Sequence, residues 1–155
     1  VALNSAIVRR PELIDEAAQL VGAQCVVVSI DAKAEGEGWR VYTHGGQRST
    51  GLDAVAWAQE CARRGAGEVL LTSIDRDGGR SGYDLALTRA VADAVNVPVI
   101  ASGGAGSAQH LVDAFIEGQA EAALVAGMVH DGTTTVGALK RALRQAGLDV
   151  RGGLS

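Results

Sequence analysis

Two carboxylates at the ends of apolar runs are the residues of this chain best suited to chemistry. Val26-Val27-Val28-Ser29-Ile30 closes on Asp31, and Val69-Leu70-Leu71-Thr72-Ser73-Ile74 closes on Asp75-Arg76-Asp77-Gly78. Runs that apolar read as strands of a parallel sheet buried between helices. Side chains just past the C-terminal ends of such strands face the mouth where α/β folds keep their sites. Carboxylates from two strands aimed into one mouth are what a general acid–base pair requires. Either Asp alone would serve equally well as a cap for the next turn or helix. Both together, beside a glycine cluster, point to a site.

The cluster ends a third apolar run, Val97-Pro98-Val99-Ile100-Ala101-Ser102-Gly103-Gly104-Ala105-Gly106, before a helical pattern from Ser107. Glycines at a strand–helix junction let backbone approach a ligand, and the N–H groups there favour an anion. Gly103-Gly104-Ala105-Gly106 lacks the G-x-G-x-x-G form, so a nicotinamide cofactor is disfavoured and none is expected. A fourth run, Ala122-Ala123-Leu124-Val125-Ala126-Gly127, also closes on a small residue. Phosphate held between the last two strand–loop junctions is a recurrent feature of β/α barrels.

The positioning elements alternate. Val1–Val8 reads as a strand, and Pro11 to Gly22 as a helix. Cys25–Ile30 is the next strand, followed by a long connection, Ala32–Gly51, in which Trp39–Thr43 reads as a short hairpin strand. A helix over Asp53–Arg64 should bury Val55, Trp57, Cys61 and Ala62. Strand Val69–Thr72, helix Asp84–Val95, strand Val97–Ala101, helix Ala108–Glu117, strand Ala122–Ala126 and helix Thr135–Ala146 complete the series. Helices between consecutive strands imply a parallel sheet.

Composition sets the bounds. A chain of 155 residues, 47% of them hydrophobic, can bury one core in one domain, residues 1–155. A net charge of −4 argues against a nucleic-acid partner. No apolar stretch approaches the roughly 20 residues of a membrane span. The opening Val1-Ala2-Leu3-Asn4 has no signal-peptide core. Cys25 and Cys61 lack metal-ligand spacing and read as small buried hydrophobes, which suits a cytoplasmic protein. His44, His110 and His130 are scattered, so no metal site is expected.

Several motifs in order resemble one family, the cyclase subunit of imidazole glycerol phosphate synthase in histidine biosynthesis. Val28-Ser29-Ile30-Asp31-Ala32-Lys33 is similar to its fifth strand, and Gly65 through Gly78 to its sixth. Ser81-Gly82-Tyr83-Asp84 and Ile100 through Gly106 continue the match, while Leu3-Asn4-Ser5-Ala6 resembles the fourth strand. The resemblance implies an α/β fold whose parallel β/α units form the C-terminal half of a TIM (β/α)8 barrel, strands four to eight. It implies a phosphorylated small-molecule substrate and ammonia from a glutaminase partner. The phosphoribulosyl formimino aminoimidazole carboxamide ribotide would become imidazole glycerol phosphate and the aminoimidazole carboxamide ribotide.

By the same resemblance Asp77 is a catalytic acid–base and Asp31 a supporting carboxylate. Ser102, Gly103, Gly104, Ala126 and Gly127 would hold one phosphate, with Gly78 lining the mouth. Asn4 and Ser5 would help to hold the other. Glu68, at the opposite end of its strand, would belong to a charged ring gating ammonia; a solvated strand-entry charge is the other reading. The chain departs from the family at Gly127, where a Ser is usual, and at His130-Asp131-Gly132. A family barrel has eight strands and roughly 250 residues, so this chain would begin in strand four and lack the strand-one catalytic Asp. An open sheet of that kind should expose apolar residues, among them Val26, Val28, Leu70 and Val99. Self-association, most simply as a homodimer, is expected, and a non-catalytic phosphate-binding half-barrel is the alternative to a cyclase.

Overall fold

The computed structural model describes residues 1–151. Its elements are β1 (Ala2–Leu3), α1 (Ser5–Arg9), α2 (Glu12–Val21), β2 (Val27–Glu35), β3 (Gly38–Thr43), β4 (Arg48–Asp53), α3 (Ala54–Arg64) and β5 (Glu68–Ser73). After these come α4 (Leu85–Ala94), β6 (Val99–Ser102), α5 (Ala108–Ile116), β7 (Ala122–Ala123), α6 (Gly127–His130) and α7 (Val136–Gln145). All seven strands join one sheet in the order β4-β3-β2-β5-β6-β7, with β1 on the free side of the start of β2. The pairs β1–β2, β2–β5, β5–β6 and β6–β7 are parallel. This is a run of β/α units of the partial-barrel kind, and the sheet is not closed.

Four of the described helices start where the sequence supplies a cap. Asp53, Asp84, Ser107 and Thr135 accept hydrogen bonds from the N–H groups of Ala56, Leu87, His110 and Ala138 at the heads of α3, α4, α5 and α7. Each such cap contributes about 1 kcal/mol. Gly65 ends α3 in the left-handed conformation, φ 116°, which a glycine adopts without a Cβ penalty.

Burial alternates along β2 and β5, so the sheet has two unlike faces. Val26, Val28, Ile30, Val69, Leu71 and Val99 pack under the helices with Ile7, Ile14, Trp57, Cys61, Leu87 and Val91. Val27, Ser29, Asp31, Leu70, Thr72 and Ile100 occupy the other face and are only half buried. The expectation of an uncovered Val26, Val28 and Val99 is therefore corrected. Side chains alternate across a strand, and the helices cover the set that includes these three, leaving Leu70 with Val27 and Ile100 opposite.

Three other expectations change. The strand expected over Val1–Val8 stops at Leu3, and Ser5–Arg9 is helical. Ile7 is fully buried and Val8 packs on the same core, an adjacent pair that one face of a strand could not bury together. The long connection is an antiparallel extension of β2: Asp31–Glu35 pair with Gly38–Tyr42, and β4 pairs with β3. Cys61 is buried as expected, whereas Cys25 lies exposed on a 3-10 turn at Ala23–Cys25.

Candidate active site

Register places the site. Asp31 pairs with Thr72, and Thr72 with Ser102, so the three stand in one row across β2, β5 and β6. Neighbours in register share a face, and this row lies at the C-terminal ends of the strands on the face the helices leave uncovered. Beyond it, Asp77, Gly78, Arg80, Ser102, Gly103, Gly104, Ala105, Leu124, Ala126 and Gly127 line a cavity of about 130 Å³. Whole small-molecule sites run to about 300–1,000 Å³. This one is smaller, with room for one small group.

The loop after β5 builds one wall. Asp77 N–H donates to the Ser73 carbonyl at 3.0 Å and Ile74 N–H to the Ala32 carbonyl at 2.9 Å. The Asp75 carboxylate turns away, accepting from Ala34 N–H at 2.8 Å and tying the β2–β3 extension to this loop. Of the two Asp residues that close the run, Asp75 is thus structural and Asp77 faces the cavity. Asp31 is half buried, and its carboxyl titrates above the usual value, first because burial disfavours the charge and second because Asp77 is negative. The charge of Asp77 is thus felt at the Asp31 carboxyl.

The loop after β6 builds the other wall, and the cause of its glycines is clear. A Cβ on Gly103 would stand 2.7 Å from the Ser73 carbonyl oxygen, and one on Gly104 only 2.1 Å from the Gly82 oxygen. Their φ angles, 88° and 112°, also lie in the left-handed region. Backbone packs on backbone here: the Gly82 N–H donates to the Gly104 carbonyl at 2.8 Å. Glycine is required by this loop-on-loop contact, and the resulting wall lines the cavity.

Three contributors were not apparent from sequence. The Tyr83 hydroxyl, buried, donates to the Leu124 carbonyl at 2.8 Å and fixes the chain that leads into Ala126 and Gly127. Burial pushes that phenol up to about 12. His110 accepts from Gly106 N–H at 3.1 Å, steadying the far end of the glycine loop. Arg80, amid Gly78, Gly79 and Gly82, reaches the cavity edge and pairs with Asp131. The signal available for Tyr83 was a hydroxyl-bearing aromatic flanked by a glycine and a cap. Nothing in spacing indicates where Arg80 would lie.

Asn4 and Ser5 follow β1, separated from the glycine loop by β2 and β5, and are not part of this cavity. Glu68 lies at the opposite end of β5, in a groove with Pro98, Ile100 and Glu121. Among the described residues no cluster of three or more His, Cys, Asp or Glu has the geometry to hold a metal ion. Among them, too, no helix is long and apolar enough to cross a membrane.

Parallel β/α units with a small polar recess at the C-terminal ends of their strands define a protein of the β/α-barrel class. Residues 1–135 match the model of the histidine biosynthesis protein family, and the chain belongs to that family. It is 69% identical over 151 residues to the imidazole glycerol phosphate synthase subunit HisF of Myxococcus xanthus (strain DK1622), covering 97% of this chain and 60% of that protein. To the subunit of the same name from Anoxybacillus flavithermus (strain DSM 21510 / WK1) it is 57% identical over 153 residues, covering 97% of this chain and 61% of that one. The chain thus spans about three-fifths of the length of these relatives.

Proposed function

We propose that this chain carries the C-terminal part of the cyclase subunit of imidazole glycerol phosphate synthase. In this reading it uses ammonia from a glutaminase partner, in the cytoplasm, in a lyase-type ring closure. The phosphoribulosyl formimino aminoimidazole carboxamide ribotide is the substrate, and imidazole glycerol phosphate and the aminoimidazole carboxamide ribotide are the products. The observation that carries the reading is the meeting of Asp77 with Ser102–Gly104 and Ala126–Gly127 around one small recess, beside an Asp31 whose proton affinity is raised.

Each group then has a task. A phosphoryl group seated against Gly78, Ser102–Gly104 and Ala126–Gly127 anchors one end of the substrate, so that the reacting carbons lie over the row of Asp31, Thr72 and Ser102. Asp77 moves a proton during ring closure, and Asp31 holds or shares one beside it. Asn4 and Ser5, across the sheet, suit the second phosphate of a substrate that spans the mouth. Glu68, at the far end of β5, suits a gate for ammonia entering from below. In the family the partner of the residue matched by Asp77 is an Asp at the end of strand one.

The test is Asp77→Asn in the whole synthase, which keeps size and removes the proton carrier. Turnover should fall on the order of 10²-fold or more, with little change in KM. Turnover within a few-fold of wild type would remove Asp77 from the mechanism.

A second reading has its own observation. Val27, Leu70 and Ile100 lie half buried on one sheet face, and Leu124 at its border is 47% exposed. For the 155-residue chain by itself this favours a self-associating, non-catalytic phosphate binder, most simply a homodimer.

A further inference from the structure

Among the described residues lining the recess, Arg80 is the only cation and Asp77 the only anion. A phosphomonoester brings a charge of about −1.5 to −2 at pH 7. Glycine backbone alone would set that charge beside the Asp77 carboxylate with no cation to answer it. The guanidinium supplies the missing positive charge, in a planar fork whose geometry matches phosphate oxygens.

Three features seat Arg80 there. Its backbone is left-handed, φ 51°, although it is not a glycine. Non-glycine residues held in that region mark places where the fold maintains strain, often for function. Its carbonyl backs onto Gly106, where a Cβ would come within 2.2 Å of the oxygen. Its guanidinium lies over Gly127: a Cβ there would stand 2.8 Å from Nη2, 3.3 Å from Nε and 3.4 Å from Cζ.

Nη2 also pairs with Asp131, whose carboxylate accepts from the Thr133 N–H at 3.1 Å and hydroxyl at 2.6 Å. Those Thr133 bonds, and then Arg80, hold the Asp131 carboxyl down to about 2, so it stays charged throughout the physiological range. The pair is exposed at both ends, 45% and 40%, and such pairs contribute little to folding. Arg80 can keep Asp131 through Nη2 and still present its remaining donors to a ligand.

We propose that Arg80 is the phosphoryl-binding guanidinium of this recess, and that Asp131 is the residue that positions it. The proposal rests on the reading of the recess as a phosphate site and assigns its charge recognition. Gly127 belongs to the same device, because it leaves room for the guanidinium.

Calorimetric titration of the protein with inorganic phosphate at low ionic strength tests it. Arg80→Gly should fold with no loss of Tm, since glycine takes the left-handed backbone freely, yet weaken Kd at least tenfold and flatten its salt dependence. Arg80→Asn, which also tolerates that backbone, serves the same purpose should the glycine variant unfold. Arg80→Lys should restore part of the affinity. Asp131→Asn keeps an oxygen for Thr133 and should weaken phosphate several-fold at constant Tm, but cause no further loss in the Arg80→Gly background. A merely structural Asp131 would show the same loss in both backgrounds, which would overturn the positioning role. Saturable wild-type binding that Arg80→Gly leaves within twofold would overturn the proposal while sparing the phosphate site. A wild type that binds no phosphate at about 10 mM would overturn the site reading and this proposal with it.

Discussion

The coupling between Asp31 and Asp77 has a measurable consequence at the scale of single residues. Burial comes first in raising the Asp31 carboxyl and the charge of Asp77 second. Asp77→Asn should therefore lower the Asp31 pKa but leave it above the ordinary carboxylate value, because burial persists. Carbon-13 NMR titration of the Asp carboxyls reads this directly; an unmoved Asp31 would mean that the two do not interact. The stability effect has a definite sign. Below the unfolded-state value Asp31 is neutral in both states and costs nothing. As pH rises through the raised folded value it must ionise in a site that disfavours charge, so its contribution to stability falls. The same residue-scale view shows what could be read in advance. Asp31, Asp77, Ser102 and the glycines stood out because each ends an apolar run, and strand ends have predictable neighbours. Arg80 did not, since its place depends on a left-handed turn and on two glycines far along the chain.

At the scale of elements, the mouth is two loops locked together, with Tyr83 as the bolt to the segment after β7. Tyr83→Phe should leave the Leu124 carbonyl without its partner and cost about 1–3 kcal/mol of stability, seen as a lower denaturant midpoint at unchanged slope. Phosphate affinity should drop as well, because Ala126 and Gly127 follow Leu124 directly; an unchanged midpoint and affinity would make the hydroxyl dispensable. The loops also decide which substitutions inform. Gly104→Val would drive a side chain into the Gly82 carbonyl and would disrupt the loop itself, so loss of an anion there would say nothing of recognition. Caps made α3, α4, α5 and α7 legible, since Asp53, Asp84, Ser107 and Thr135 each precede a periodic segment. The β2–β3–β4 extension was only partly legible. Trp39–Thr43 alternates, but Lys33-Ala34-Glu35 and Arg48-Ser49-Thr50-Gly51 carry no apolar stripe, because both sides of that ribbon meet solvent over much of their length.

At the scale of the molecule, the two faces of the sheet are in different states of completion. One is sealed by α1 to α4 over one buried cluster and by α5 and α7 over a second. The other presents Val27, Leu70, Ile100 and Leu124 half covered or exposed, with the polar row of Asp31, Thr72 and Ser102 at its rim. Each large apolar side chain left in water forgoes about 1.5–3 kcal/mol, and several together rival the roughly 5–15 kcal/mol that holds a domain folded. Burial needs a matching surface, and two are available: further strands of a barrel, or the same face of a second copy. A twofold pairing would set one recess at each of two strand-end mouths. For the 155-residue chain by itself, sedimentation equilibrium at micromolar concentration should show a dimer or larger species. Leu70→Lys together with Ile100→Lys should shift it toward monomer and lower its stability, by setting like charges against each other in the buried face. A folded, monodisperse 15.8 kDa monomer at that concentration would show instead that the inner face tolerates water, and would leave barrel closure as its only use.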